Sequence, residues 1–333
     1  MKTLRKILDT FPKATDIHFT ENSPVMIREN GKLAVAGNID GSLLEKEIGS
    51  GLGEEKRNAY AEEKACDMSI EENGIRIRVH LYRAGGLSCG ALRILPSLDR
   101  VDKDPDEDWI EETARLETGL VIVSGPSGSG KSTTLARILE KIGKERACHI
   151  VTLEDPVEYM LSPFRSLIHQ REVGEDVADF AEGIKESLRE DPDVIAIGEM
   201  RDKATVQAAL SAAETGHLVL ATLHNGEVKE ALGRMIHTFP GEEQKEIRNI
   251  LANVLRSVSA QRLWRRKQKT ILLREILWNT PAVSNLIRMG REEQIVSYME
   301  TGAKRMRTLR QAAYQLQNVT PQERKEILSD IEK

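Results

Sequence analysis

Gly125-Pro126-Ser127-Gly128-Ser129-Gly130-Lys131-Ser132 is the stretch on which the reading of this chain turns. It follows the apolar run Leu120-Val121-Ile122-Val123 and precedes a helical pattern from Thr133 to Lys141. Strand, glycine-rich loop and helix in that order are what a phosphate-binding P-loop requires. The glycines allow backbone N–H groups to turn inward around a phosphate, and the positive end of the following helix adds favourable charge. Gly125, Ser127, Gly128, Ser129, Gly130 and Thr133 are the expected cradle. Lys131 can reach the β- and γ-phosphates, and the Ser132 hydroxyl can face Mg²⁺. A glycine-rich turn of no consequence would fit the letters, but not the strand and helix on either side.

The 333 residues suffice for two domains with separate cores. A hydrophobic fraction of 40% and a charged fraction of 30% are those of a globular protein. Aromatic residues, at 4%, are too scarce for a stacking platform, and the net charge of −5 argues against a dedicated nucleic-acid binder. Cys66, Cys89 and Cys148 form no CxxC pair, so a reducing compartment is expected. No apolar stretch of about 18 residues is present, and the basic start Met1-Lys2-Thr3-Leu4-Arg5-Lys6 lacks the apolar segment of a signal peptide. Any membrane contact is expected to be peripheral.

Residues 1–99 read as a small α+β domain. Asp16-Ile17-His18-Phe19 is a strand candidate; Val25–Ile27 and Lys32–Val35 flank the turn Asn30-Gly31; Leu43–Lys64 has helical spacing; Met68–Ile70 and Ile75–Val79 flank Asn73-Gly74. Alternation in Ile75–Val79 puts Arg76 and Arg78 on one face of their strand. Residues 100–116 carry an acidic run with Pro105 and read as a solvated linker. Residues 117–280 alternate strands (Leu120–Ser124, His149–Leu153, Ser166–His169, Val194–Ile197, Leu218–Thr222, Thr270–Leu277) with helices, which implies a mostly parallel sheet covered on both faces. Lys203–Glu214 is a helix with Asp202 as its N-cap. Residues 281–333 read as short helices, ending in Pro321–Glu332.

A P-loop enzyme also needs carboxylates for metal and water. The apolar strand Val194–Ile197 ends in Gly198-Glu199, which would place Glu199 at the carboxyl edge of the sheet. Glu154, Asp155 and Glu158 follow the strand His149–Leu153 and form a set suited to Mg²⁺, partly through water; each singly could equally be a solvated turn residue. His217 and His224 bracket Leu218–Leu223. Seven residues of strand span about 23 Å, too far for joint metal ligation. His224 should lie at the edge carrying Glu199. Arg93 joins Arg76 and Arg78 on strands of the first domain, where they either solubilise or supply cations to a nucleotide. Arg262, Arg265, Arg266, Lys267 and Lys269 form the densest basic cluster and read as a solvated loop.

Together these residues resemble the secretion ATPase superfamily, the motors of type II secretion and type IV pili. Leu153–Tyr159 looks like its Asp box, Gln170–Gly174 like a following signature, Leu188–Asp202 like its Walker B block, and Ala213–His224 like its His box. Asp16-Ile17-His18 and Arg76-Ile77-Arg78-Val79 are similar to its N-terminal domain. Ala282–Met289 is similar to the motif of the PilT-like branch, departing at Ser284 and Met289; His80 stands where that branch has Asn. Because the sequence opens close to Asp16-Ile17-His18 and has only three cysteines, neither the further N-terminal domain nor the four-cysteine zinc insert of assembly members is expected.

The resemblance implies a PAS-like domain followed by a RecA-like domain in a homo-hexamer, cytoplasmic and peripheral to the inner membrane, with a platform protein as partner and no nucleic acid. It implies ATP and Mg²⁺ as ligands, Glu199 as the catalytic carboxylate, and Glu158, with Glu154 and Asp155, positioning metal and water. His217 and His224 would couple nucleotide state to subunit contacts, and Arg76, Arg78 and Arg93 would approach the phosphates. Pilus retraction, a conjugation or type IVB secretion role, and a RecA-like nucleic-acid translocase remain as alternatives.

Overall fold

The computed structural model describes the chain apart from Asn30, Pro96, Ser97, Asp99, Arg100, Lys267, Gln268, Asn318, Glu332 and Lys333, and apart from the side chains of Glu55, Lys56, Ala59, Arg266 and Lys269. Asn30 of the first expected turn, Arg100 of the expected linker, Lys267 of the basic cluster and Glu332 of the last helix thus lie outside the described residues. The chain divides into two units, Met1–Asp102 with Glu158–Met160, and Lys103–Val157 with Leu161–Lys333.

The first unit begins with α1 (Lys2–Thr10), which buries Leu4, Ile7 and Leu8 at helical spacing. There follow β1 (Ala14–Thr20), β2 (Pro24–Glu29), β3 (Lys32–Asp40), α2 (Gly41–Ser50), α3 (Glu54–Glu63), β4 (Ala65–Glu72), β5 (Ile75–Ala84) and β6 (Leu87–Ile94). The strands make one antiparallel sheet in the order β3-β2-β1-β6-β5-β4. Its core takes alternate residues, among them Ile17, Phe19, Ile77, Val79 and Leu81. A Cβ on Gly90 would come within 2.1 Å of the Phe19 ring, so this glycine makes room for that side chain. The helical stretch expected over Leu43–Lys64 is two helices, broken at Gly51-Leu52-Gly53. Asp40 caps α2 by accepting from the Ser42 N–H at 2.7 Å.

The second unit contains α4 (Glu107–Ala114), β7 (Gly119–Ser124), α5 (Lys131–Glu145), β8 (His149–Glu154), β9 (Leu167–Glu172), α6 (Phe180–Ser187), β10 (Val194–Ile197), α7 (Lys203–Glu214), β11 (Leu218–Leu223), α8 (Val228–His237), α9 (Gln244–Val254), β12 (Leu255–Arg266), β13 (Lys269–Trp278), α10 (Pro281–Arg288), α11 (Glu293–Glu300), α12 (Leu309–Gln315) and α13 (Pro321–Ile331). The sheet order is β13-β12-β7-β11-β10-β8-β9. All neighbours run parallel except β13, which returns antiparallel along β12. Every residue of β7, β10 and β11 is buried, as a sheet covered on both faces demands.

Two expectations are corrected here. The acidic run is not a solvated linker throughout. Glu107 and Asp108 are exposed, but Asp104 and Asp106 are buried because the guanidinium of Arg274 on β13 needs them as partners. Nor do Arg262 and Arg265 of the basic cluster lie in a loop, for they belong to β12. That strand escapes sequence reading because Ser257, Ser259 and Gln261 fill its buried alternate positions with polar groups.

Candidate active site

β7 delivers the chain to the carboxyl edge of the parallel strands, where the loop 125–130 turns into α5. Gly128 and Gly130 hold φ of +72° and +89°, a region that L side chains rarely adopt. A Cβ on Gly125 would lie 2.3 Å from the Gln261 carbonyl oxygen and 2.5 Å from Ser129 Oγ. The Lys131 ammonium reaches back across the loop, donating to the carbonyls of Gly125 at 2.8 Å and Pro126 at 3.2 Å. Ser129 Oγ is buried with no hydrogen-bond partner. The first turn of α5 carries no acidic residue, so its positive end is uncompensated. An orphaned hydroxyl, a cradle that excludes Cβ, a lysine over the loop and a bare helix N-terminus together fit a phosphate chain.

Glu199 follows β10 at the same edge. Its Oε1 accepts from Arg201 Nε at 2.6 Å, and its Oε2 lies 3.0 Å from His224 Nε2 at the end of β11. The other ring nitrogen of His224 faces Ser127 Oγ at 3.4 Å, a long contact with the P-loop itself. With a proton on Nε2 the ring donates to Glu199. Burial alone would push the Glu199 carboxyl up, but the Arg201 hydrogen bond and the charges of His224 and Arg201 outweigh it and hold it below the ordinary glutamate range. The carboxylate is therefore ionised at neutral pH.

The other sequence candidates are spread more widely. His217 precedes β11, at the opposite edge of the sheet and about 23 Å of strand from His224. Its Nδ1 faces Ala212 O at 3.0 Å and Thr215 Oγ1 at 3.1 Å. The structure therefore does not bring His217 to the P-loop edge of its own chain. Glu154 accepts from Thr152 Oγ1 at 2.7 Å and Gln170 Nε2 at 3.0 Å, while the charge of Asp155 bears on Arg201. Glu158 groups with the first unit. Among the described residues no three His, Cys, Asp or Glu side chains are gathered to hold a metal ion. In the first unit, Arg78 on β5 stands directly opposite Arg93 on β6, and Arg93 Nε pairs with Asp16 at 3.1 Å. Like charges directly opposed across strands are unfavourable without an anion near them.

The Type II/IV secretion system protein family profile matches residues 68–332. The chain belongs to this family. It is 41% identical to Escherichia coli (strain K12) YggR over 293 residues, 86% of this chain and 89% of that protein. It is 35% identical to the type IV pilus retraction ATPase PilT of Pseudomonas aeruginosa over 294 residues, 87% of this chain and 86% of that one. A crystal structure of the pilus retraction motor PilT with bound ADP superposes with a TM-score of 0.87 at 34% identity, covering 98% of this chain and 97% of the other. The fold is accordingly that of a PilT-like secretion ATPase, an N-terminal domain followed by an ATPase domain.

Behind the P-loop of this secretion-family chain lies a layer that sequence reading did not find. Gln261 on β12 donates from Nε2 to Ser129 O at 2.8 Å, and Arg265 donates to Gly128 O at 3.1 Å. Thr134 on α5 donates to Gln261 Oε1 at 3.0 Å. Arg274, 0% exposed, grips Asp104 through two bonds of 2.6 and 2.9 Å and reaches Asp106 at 3.1 Å. Arg307 also pairs with Asp106. Burial pushes the Asp104 carboxyl up, yet the bonds and charge of Arg274 prevail and hold it below the usual aspartate value. One signal was available: Arg274-Glu275 interrupts the apolar strand Ile271–Leu277, and a charge there requires a buried partner. Glu275 accepts from the Val228 N–H at the start of α8 at 2.8 Å. Burial raises its carboxyl to about 7, reinforced by the charge of Glu227.

Proposed function

We propose that this chain is an ATP-hydrolysing motor that works as a ring of six at the cytoplasmic face of the inner membrane, driving type IV pilus retraction or a related secretion machine. The observation that carries the reading is the meeting of Glu199, Arg201 and His224 beside a P-loop shaped for phosphates. The backbone N–H groups of residues 128–132 and the Lys131 ammonium bind the phosphate chain. Glu199, ionised, orients the attacking water and accepts its proton. Arg201 and His224 hold that carboxylate in place, and His224 links it to Ser127. Ser132, with Glu154, Asp155 and Glu158 partly through water, would hold Mg²⁺, which would supply positive charge to the transferred phosphoryl group. Arg76, Arg78 and Arg93 stabilise phosphate charge from the first unit, and His217 serves a subunit contact rather than the chemistry.

No helix among the described residues is long and apolar enough to cross a membrane; the reading places the ring peripherally, on a platform protein of the membrane. The substitutions His80, Ser284 and Met289 support a second reading, service in a conjugation or type IVB secretion system, with the same chemistry.

The test is ATP turnover measured against protein concentration, with light scattering on the same samples and Lys131→Ala as the control. Turnover that rises as hexamers form and vanishes in the variant is the expected result. Turnover proportional to monomer would overturn the ring. Turnover unchanged in Lys131→Ala would overturn the site. DNA added to the same assay is expected to change nothing, and stimulation by it would favour the translocase.

A further inference from the structure

A continuous path of hydrogen bonds runs from the P-loop to the first residues of the second unit. It begins at Ser129, whose carbonyl is held by Gln261 Nε2 at 2.8 Å. The other end of the Gln261 amide, Oε1, is shared by Thr134 Oγ1 at 3.0 Å and Arg274 Nη2 at 3.4 Å. Arg274 Nη2 also donates to Thr134 Oγ1 at 3.0 Å. Both terminal nitrogens of Arg274 then reach Asp104, and Nη1 reaches Asp106 as well. Asp104 Oδ1 in turn accepts the backbone N–H of Asp106 at 2.9 Å. The main run of the first unit, Met1–Asp102, stops just before them, so these carboxylates stand on the first few residues after that junction.

Two features mark this path as more than packing. A fully buried guanidinium with two carboxylates is a costly way to fill space, because apolar residues of like volume serve stability as well or better. And Arg274 is over-committed: its two terminal nitrogens serve two carboxylates, a hydroxyl and an amide, while Nε has no partner and the guanidinium lies 5.1 Å from the centre of the Trp109 ring. A shared acceptor at Gln261 Oε1 allows its two donors to trade strength. Ordering of the Ser129 peptide around a phosphate fixes Gln261, and with it the balance between Thr134 and Arg274.

We propose that Arg274 is a positioning residue that couples occupancy of the P-loop to the order of the segment Lys103–Asp106, acting through Gln261 and Thr134 on one side and Asp104 and Asp106 on the other. The coupling rests on the nucleotide-binding reading above. It gives this motor an internal connection between its phosphate site and the stretch of chain that leads to its first unit. By linkage the effect is reciprocal: loosening residues 103–106 weakens nucleotide binding by the factor by which nucleotide tightens them.

The Asp106 amide is a direct reporter, since its partner is the Asp104 carboxylate. Its hydrogen exchange is measured in the full chain with and without MgADP, alongside ADP binding by calorimetry and thermal unfolding. The unaltered chain is expected to bind ADP and to slow exchange at Asp106 by about 5- to 10-fold, the range of an ordinary coupling. In the variant Asp104→Asn/Asp106→Asn/Arg274→Met, ADP should still bind, more weakly, and exchange at position 106 should no longer respond. Thr134→Val removes only the shared hydroxyl and carries the same test if the triple variant does not fold; its response should fall at least by half. ADP binding with exchange at Asp106 unchanged would overturn the coupling alone, as would variants that respond like the unaltered chain. Failure of the unaltered chain to bind ADP would overturn the nucleotide reading and this inference with it.

Discussion

The Glu199 centre and the Arg274 cluster are both pairings of carboxylate with guanidinium, yet they are built for opposite ends. Arg201 is 71% exposed on its side chain, and Glu199 keeps a view of solvent. Water can replace that partner at small cost, which suits a group that must meet a substrate. Arg274 and its aspartates have no such substitute, so breaking one pairing strands the others in a dry interior. The open pair is adjustable and the sealed pair is a fixed point. The difference teaches that an ion pair's role is set by what replaces it when it breaks.

The sharpest way to break the comparison is Arg274→Ala. It leaves Asp104 and Asp106 buried without their main counter-charge and should cost about 3–5 kcal/mol in unfolding by denaturant, against less than about 1 kcal/mol for Arg201→Ala. Equal losses would erase the distinction drawn between them. Next, Glu199→Gln should lower ATP turnover by about 10²- to 10³-fold while ADP affinity stays within a few-fold, since only the proton-accepting group is lost. Normal turnover would remove Glu199 from the chemistry.

Glu275 gives a third, intermediate case, a buried carboxylate without a guanidinium. Its folded value near 7 lies above the ordinary 4.5, so the folded state binds the extra proton between those values. Stability from this group is full at low pH, declines as pH rises from about 4.5 to 7, and is level beyond. Glu275→Gln keeps an oxygen for the Val228 N–H. It should flatten that decline and raise stability above pH 7 by up to about 3 kcal/mol, read from denaturant midpoints across pH. Asp104 has the opposite sign, because its folded value is depressed: its contribution is present at neutral pH and is lost only as pH falls below the ordinary aspartate range. The smallest effect is expected at Asp202, whose carboxylate caps α7 through the Thr205 N–H at 2.9 Å just beyond Arg201. Asp202→Ala should cost about 1 kcal/mol and Asp202→Asn much less.

Most of the fold was legible because its signals are local. Val194–Ile197 and Lys203–Glu214 have the bounds that apolar run and cap dictate, and Asn73-Gly74 takes positive φ at both positions, as a two-residue hairpin turn requires. Strand direction alone puts residues 124, 199 and 224 at one edge. The same reasoning, carried further, puts His217 at the other. What stayed hidden has non-local causes. β12 buries Ser257 and Gln261, whose partners are Trp109, the Leu277 carbonyl and the P-loop, none of them near in sequence. Asp104 looked like a surface charge because its counter-ion comes 170 positions later.

The distance in sequence between Ser129 and Gln261, 132 positions, bears on the order in which the protein is made. During synthesis the glycine-rich motif and α5 emerge complete long before β12 does. Until that strand inserts beside β7, the loop has its letters but not its backing, and Gly125 has no wall to press against. Nucleotide affinity should therefore be a late acquisition of the growing chain. A nascent polypeptide halted between the motif and β12 would carry a recognisable P-loop without a finished binding site, and a ligand present during synthesis would favour the last strand's insertion rather than the first helix's formation.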